Sequence, residues 1–254
     1  YTSYQFVTMG SNIHTHTIIQ RSLLLQFFVI IAALFSAGTA AFADNVSVSN
    51  FDDLQSNISS GTVDTIYVNE SFSFNDSLLN ISRDNIVLEA IGDVTLSGFF
   101  NVTGDDVVIR DFIINASVTS GGQAYFIVEA NNFLFDNNIV NVLEGSPGTG
   151  GSSFTLRGNN NRIINSEFSW LGNLAGSGYN FVAFLESSDG SILNDSSISG
   201  ARALAELGSS DEVVFEDVEI NWNSNYGGTD YIFTGGSNPL NGELKLKNVV
   251  ANGD

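Results

Sequence analysis

Apolar and polar positions alternate along most of this chain in short runs without a helical period, and the alternation returns in a ten-residue frame. From Asp106 the frame reads DVVIRDFIIN. It recurs at Asn132 (NFLFDNNIVN), Asn161 (NRIINSEFSW), Gly190 (GSILNDSSIS), Glu212 (EVVFEDVEIN) and Glu243 (ELKLKNVVAN). Successive starts lie 26, 29, 29, 22 and 31 residues apart. Self-similarity at periods of ~20–50 residues marks repeat architectures, in which each unit buries its apolar face against the next. Strands and turns at such a period predict a parallel β-solenoid.

The columns of the frame sharpen this expectation. The fourth position holds Ile109, Phe135, Ile164, Leu193, Phe215 and Leu246, large apolar side chains suited to an inward row. The sixth holds Asp111, Asn137, Ser166, Asp195, Asp217 and Asn248, small hydrogen-bonding side chains that bond their own turns. Stacked at the ~4.8 Å strand spacing, they predict a side-chain ladder at a bend between two strands. A third strand per coil is expected at 125–129, 153–157, 181–186, 203–207 and 231–234, although 203–207 also suits a short helical turn.

One segment departs from the strand pattern. In SNFDDLQSNI, Phe51, Leu54 and Ile58 share a helical face, Ser49 or Asn50 can cap the start, and Asp52 and Asp53 lie in the first turn. A short amphipathic helix here would cover the apolar end of the stack. No comparable segment follows the last frame, which stops at Ala251-Asn252-Gly253-Asp254. Solenoids need capped ends. The pattern therefore predicts either a fragment of a longer chain, the reading preferred, or a partner over that end.

The first Met is Met9, so residues 1–8 read as translated sequence upstream of a start codon. From Leu23 to Ala43 the chain is nearly all apolar, preceded by Arg21 and closed by Ala41-Phe42-Ala43. This is the pattern of a cleaved secretory leader, the alternative being an uncleaved anchor. Residues 44–254 then form one exported β domain, secreted or at the cell surface, with no membrane span of its own. The chain has 28 acidic and 8 basic residues and a formal charge of −20, which becomes −21 without Arg21. Such a surface repels nucleic acid and anionic lipid and can attract Ca²⁺. There is no cysteine, and the two histidines, His14 and His16, both precede Asp44. N-x-S/T sequons begin at Asn45, Asn57, Asn69, Asn75, Asn80, Asn101, Asn115 and Asn194, matches that composition alone could also produce.

The helix FDDLQSNIS, the opening GTVDTIYV, the coil NIVLEAIGDVTLSG and the Asx ladder together resemble the right-handed parallel β-helices of the pectate-lyase-like superfamily over about residues 46–254. Within it, VTLSGFFNVTGDDVVIRDFIIN and FTLRGNNNRIINSEF are most similar to the N-terminal half of chondroitinase B and alginate lyases. The resemblance implies an all-β right-handed parallel β-helix with a short N-terminal amphipathic cap helix. It also implies a secreted enzyme that cleaves acidic polysaccharide by β-elimination, helped by Ca²⁺ and a Lys/Arg pair. That family places its Lys, Arg and metal carboxylates late in the stem, and no matching motif occurs here; Lys245 and Lys247 are the only lysines. A polygalacturonase-type hydrolase fits less well, since its G-H-G motif is missing and Asp105-Asp106 reads as a solvated corner.

In such folds ligands lie on the outer face of one strand column, beside the long loops. Here the third-strand column carries Glu129, Arg157, Glu186 and Glu206. On successive rungs, Glu129 and Glu186 would lie ~9–10 Å apart and Glu186 and Glu206 ~5 Å apart, the spacings of inverting and retaining carboxylate pairs. The competing reading is a surface charge ladder with Arg157 pairing Glu129 and Glu186. Trp170, Tyr179, Trp222 and Tyr226 lie in or beside the Gly/Ser-rich loops 118–124, 144–152, 171–180 and 223–230. They are candidates for stacking on sugar rings or for a satellite core. Two functions stay open: a polysaccharide-binding or lyase-like protein acting on an acidic polymer, and a non-catalytic surface β-helix such as an adhesin or glycan-binding stalk. No metal site can be assigned from sequence.

Overall fold

The computed structural model describes residues 44–117, 126–144, 152–171, 181–185, 190–199, 203–207, 212–222, 231–234 and 243–253. In chain order the first elements are β1 (Asp44–Val48), α1 (Phe51–Ser60), β2 (Val63–Val68), β3 (Phe72–Ile81), β4 (Val87–Val102) and β5 (Val108–Ser117). Next come β6 (Phe126–Glu129), β7 (Leu134–Asp136), β8 (Ile139–Glu144), β9 (Ser152–Arg157), β10 (Arg162–Ile164) and β11 (Glu167–Trp170). The last are β12 (Phe181–Leu185), β13 (Ser191–Ser199), β14 (Ala203–Leu207), β15 (Glu212–Trp222), β16 (Tyr231–Thr234), β17 (Glu243–Lys247) and β18 (Val250–Gly253). The described strands pair in parallel, in one long sheet consistent with a solenoid. No helix among the described residues is long and apolar enough to cross a membrane.

Three stacks carry the pairing. In the first, Val46, Ile66, Leu88, Ile109, Phe135, Ile163, Leu193, Phe215 and Leu246 are in register. In the second, Leu96, Ile114, Val140, Phe168, Ile198, Ile220 and Ala251 align. In the third, Leu79, Phe100, Phe126 and Phe154 align, and the rings of Phe100–Phe126 and Phe126–Phe154 stack at 4.7 and 4.5 Å. Val46 on the first rung is half-buried; from Ile66 onward these inward rows are buried until the last rung, where Leu246 is 52% exposed although its partner Phe215 is fully covered. The expected third strands appear as β6, β9, β12, β14 and β16. Residues 203–207 are strand, because they pair with β12 on one side and β16 on the other.

The bends explain why the frame is kept. Asp111, Asn137, Asn165, Asp195, Asp217 and Asn248 all have left-handed backbone, with φ between 45° and 69°. Among non-glycine residues, Asn and Asp tolerate this region best. A second such column, Asn85, Asp106, Asn132, Asn160 and Gly190, turns the chain into the first stack. From one column to the other is five residues in four successive coils, Asp106 to Asp111, Asn132 to Asn137, Asn160 to Asn165 and Gly190 to Asp195.

One coil corrects the frame read from sequence. Ile163, not Ile164, occupies the inward row; Ile164 pairs with Asp136 and Asn194 on the outer row and is half-buried. Asn165, not Ser166, takes the left-handed position. Ser166 instead turns inward, fully buried: its hydroxyl donates to the Ile164 carbonyl (2.8 Å) and accepts from the Asn138 amide (3.2 Å).

The first coil is closed as expected. Asn50 caps α1, its Oδ1 accepting from the Asp53 amide (2.9 Å), and Gly61 ends the helix at φ 74°. Leu54 and Ile58 are buried, and Phe51 stacks on Phe74 at 5.1 Å. β1, pairing with β2 ahead of the helix, was not foreseen. The segment 1–43, including the expected leader, lies outside the described residues.

Candidate functional site

The bend between the first and second stacks is built from three consecutive frame positions, and each does a different job. The left-handed residue places its side chain outside; Asn137, Asn165, Asp195 and Asp217 are exposed. The next residue turns inward, and there Asn138, Ser166 and Ser196 form a buried polar ladder. Asn138 Oδ1 accepts from the Phe112 amide (3.0 Å), Asn138 Nδ2 donates to the Ile109 carbonyl (2.9 Å), and Ser196 Oγ accepts from the Ser166 amide (3.2 Å). This satisfies the backbone groups that a sharp bend removes from strand pairing. The third residue begins the outer face of the second stack: Ile113, Ile139, Glu167, Ser197 and Glu219 share this row.

Between the left-handed column and this outer row runs an open groove of about 670 Å³. It passes five coils, from Asp111 to Asp217, with Gly92 and Asp93 at one end. Five rungs at the strand spacing give a length of about 20 Å. Its described side chains are carboxylates (Asp93, Asp111, Glu167, Asp195, Asp217, Glu219), amides, hydroxyls, Phe112 and the isoleucines Ile113 and Ile139, with no Lys or Arg among them. Asn137 Nδ2 donates to Asp111 Oδ1 (2.6 Å), and Asn165 Nδ2 donates to Asp136 Oδ1 (2.8 Å). Beside the groove a second outer row continues the polar surface. In it Asn141 donates to Asn115 (3.1 Å), Ser169 and Ser199 share a hydrogen bond (3.0 Å), and Asn252 donates to Asn221 (3.0 Å).

Compared with protein-family models, curated proteins and solved structures, the chain shows no match.

The residues singled out from sequence lie mainly elsewhere, on the third stack. Glu129 and Arg157 are Cα partners and form an ion pair at 2.5 Å, each about half exposed. Glu206 pairs with Phe184 and Thr234, on the row that also holds Ile127 and Thr155, so it lies two positions back along the strand from the Glu129–Arg157 row. The close Glu186–Glu206 pairing assumed from sequence does not follow from this register, and Glu186 itself lies outside the described residues. Trp170 pairs with Val142, on a row whose other members Ala116 and Val142 are buried. Trp222 pairs with Gly253 at the corresponding position of its coil. Tyr179 and Tyr226 lie outside the described residues.

Two other motifs have structural explanations. Asp105 accepts from the Asn131 amide (2.7 Å), while its own amide donates to Asp84 Oδ1 (2.8 Å), so the Asp105-Asp106 pair belongs to the second corner ladder. Lys245, 45% exposed in its side chain, pairs with Glu212 at 2.7 Å and Glu243 at 3.5 Å. The hydrogen bond to Glu212 is the largest cause holding its ammonium above the ordinary lysine pKa. Similarly, Glu89 accepts from Arg110 Nε (3.0 Å) and raises that guanidinium's pKa. Among the described residues no three carboxylate or imidazole groups converge on one metal position.

The groove was missed because its left-handed column reads in sequence as scaffold. The signal that could have revealed it is the second residue after each left-handed Asx, where Ile113, Ile139, Glu167, Ser197 and Glu219 lie next to the Asx column.

Proposed function

We propose that this protein is an exported right-handed parallel β-helix, of the kind found in the pectate-lyase-like superfamily, that binds polysaccharide along the groove at its first bend. Right-handed winding is the rule for crossovers between parallel strands, which supports this hand for the coils. The groove carries the functional reading. Its volume is in the range of ligand sites, its length suits a short oligosaccharide, and its Asp/Asn column repeats at the rung spacing. A polymer laid along the coil axis meets an Asp or Asn at each step, beside an outer row that passes from isoleucine to glutamate and serine.

Binding, rather than cleavage, is the function proposed. A general base must be able to reach a substrate proton. On the third stack, Glu129 and Arg157 are instead bonded to each other. The role of a glycan-binding stalk therefore fits better than that of a lyase.

Affinity electrophoresis of the full chain through gels containing a panel of polysaccharides tests this reading. Retardation by at least one polymer is expected. Ser197→Trp, which fills the middle of the groove from the outer face of β13, should abolish it while leaving the circular dichroism spectrum unchanged. Retardation equal in wild type and Ser197→Trp would place binding elsewhere.

A further inference from the structure

The groove's lining also bears on which polymer it accepts. We propose that it selects uncharged polysaccharide, a chain of neutral sugars with adjacent hydroxyls, and rejects polyuronates. The proposal rests on reading the groove as the polysaccharide site.

Two kinds of surface meet in the groove. One is the column of Asp and Asn side chains, joined at the later coils by Glu167 and Glu219. Carboxylates are acceptors only, and a sugar hydroxyl donating to one forms a charge-assisted hydrogen bond. Asn137 and Asn165 add amides that both donate and accept, matching hydroxyls in either sense. The other surface is apolar: Ile113 and Ile139 border the same column, and Ile139 is 39% exposed among polar neighbours. A sugar ring has the same two aspects, a rim of hydroxyls and a face of C–H groups. A ring with its face on Ile139 and its hydroxyls toward the Asx column satisfies both.

A uronate polymer would place a negative charge at every ring within a few ångströms of these carboxylates. That is well inside the ~8–10 Å screening length at moderate salt. Among the described residues no lysine or arginine lines the groove. Arg110 and Lys247 act on Asp111 and Asp217 from beside it, but each is bonded to a glutamate, Glu89 and Glu216, and the chain's charge of −20 adds to the repulsion at long range. The acidic polymer expected from the sequence resemblance is thus disfavoured at this site.

The test uses the full chain and two sets of gels, one with xylan, mannan and mixed β-glucan, the other with alginate and pectate, at low and at high salt. A paired variant, Asp195→Asn with Asp217→Asn, removes two groove charges. Asn already occupies the same left-handed position at Asn137, Asn165 and Asn248, so the bend tolerates it. The expected result is retention by a neutral polymer, insensitive to salt, with no retention by the polyuronates. In the paired variant, affinity for the neutral polymer should fall about tenfold, the loss expected for a charge-assisted hydrogen bond. If polyuronates are held as well as or better than neutral polymers, or if the variant binds the neutral polymer unchanged, selection by the groove carboxylates is overturned while polysaccharide binding stands. If no polymer is retained at either salt, the binding reading fails and takes this inference with it. Should the variant unfold, the wild-type comparison of neutral with anionic polymers still decides.

Discussion

At the scale of single residues, the inward corner positions carry more than their size suggests. Asn138 satisfies both the Phe112 amide and the Ile109 carbonyl inside the stem. Asn138→Leu would leave two buried backbone groups unpaired, each worth about 1–3 kcal/mol. Urea unfolding should show a loss of about 2–6 kcal/mol. Gly158 lies at φ 99°, and a Cβ there would meet the Ala130 carbonyl oxygen at 2.1 Å. Gly158→Ala should therefore cost more than the ~1 kcal/mol usual for strain of backbone alone, read in the same titration. Sequence revealed the Asx column in five of its six members. It slipped at Ser166 because Asn159-Asn160-Asn161 and Ile163-Ile164 satisfy the apolar/polar pattern in two adjacent registers. What separates the registers is the buried hydroxyl of Ser166 bonding Asn138, a contact between coils that no single segment displays.

At the scale of elements, α1 was legible because capping and amphipathicity are local properties. Its stop is local too, at the left-handed Gly61. Leu54 is fully buried beneath it. Leu54→Ala should destabilise the fold by about 2–5 kcal/mol, and light scattering should rise at the same time as the apolar end of the stem is uncovered. β1 escaped notice because DNVSV is short and directly follows the apolar run ending at Ala43. Whether 203–207 is strand or helix turn is decided by its neighbours on both sides. At the other end, Lys245 and Lys247 of β17 are held above the usual lysine pKa, chiefly by hydrogen bonds to Glu212 and Glu216. A raised cation pKa contributes stability that is full below the unfolded lysine value of about 10.4 and is lost as pH rises through the folded value. Hydrogen exchange between pH 9 and pH 12, corrected for its intrinsic rate, should therefore show β17 losing protection before β5.

At the scale of the whole molecule, the chain carries a charge of −20 with few cations. Self-repulsion of this kind is relieved by salt. The melting temperature should rise between about 0.05 and 1 M NaCl, where a fold held mainly by surface ion pairs would soften. The repeat was visible in sequence because stacking forces equivalent positions to agree; the groove was not, because it exists only once five bends lie side by side. Those bends are separated by 26, 28, 30, 22 and 31 residues from Asp111 to Asn248, while the five-residue step between the two corner columns stays constant across four coils. Length is thus absorbed outside the corners, and the coil becomes a unit of counting. A whole coil could be added or removed without disturbing its neighbours' register, so the groove is a ruler whose length is set in integer steps by the number of turns beside it.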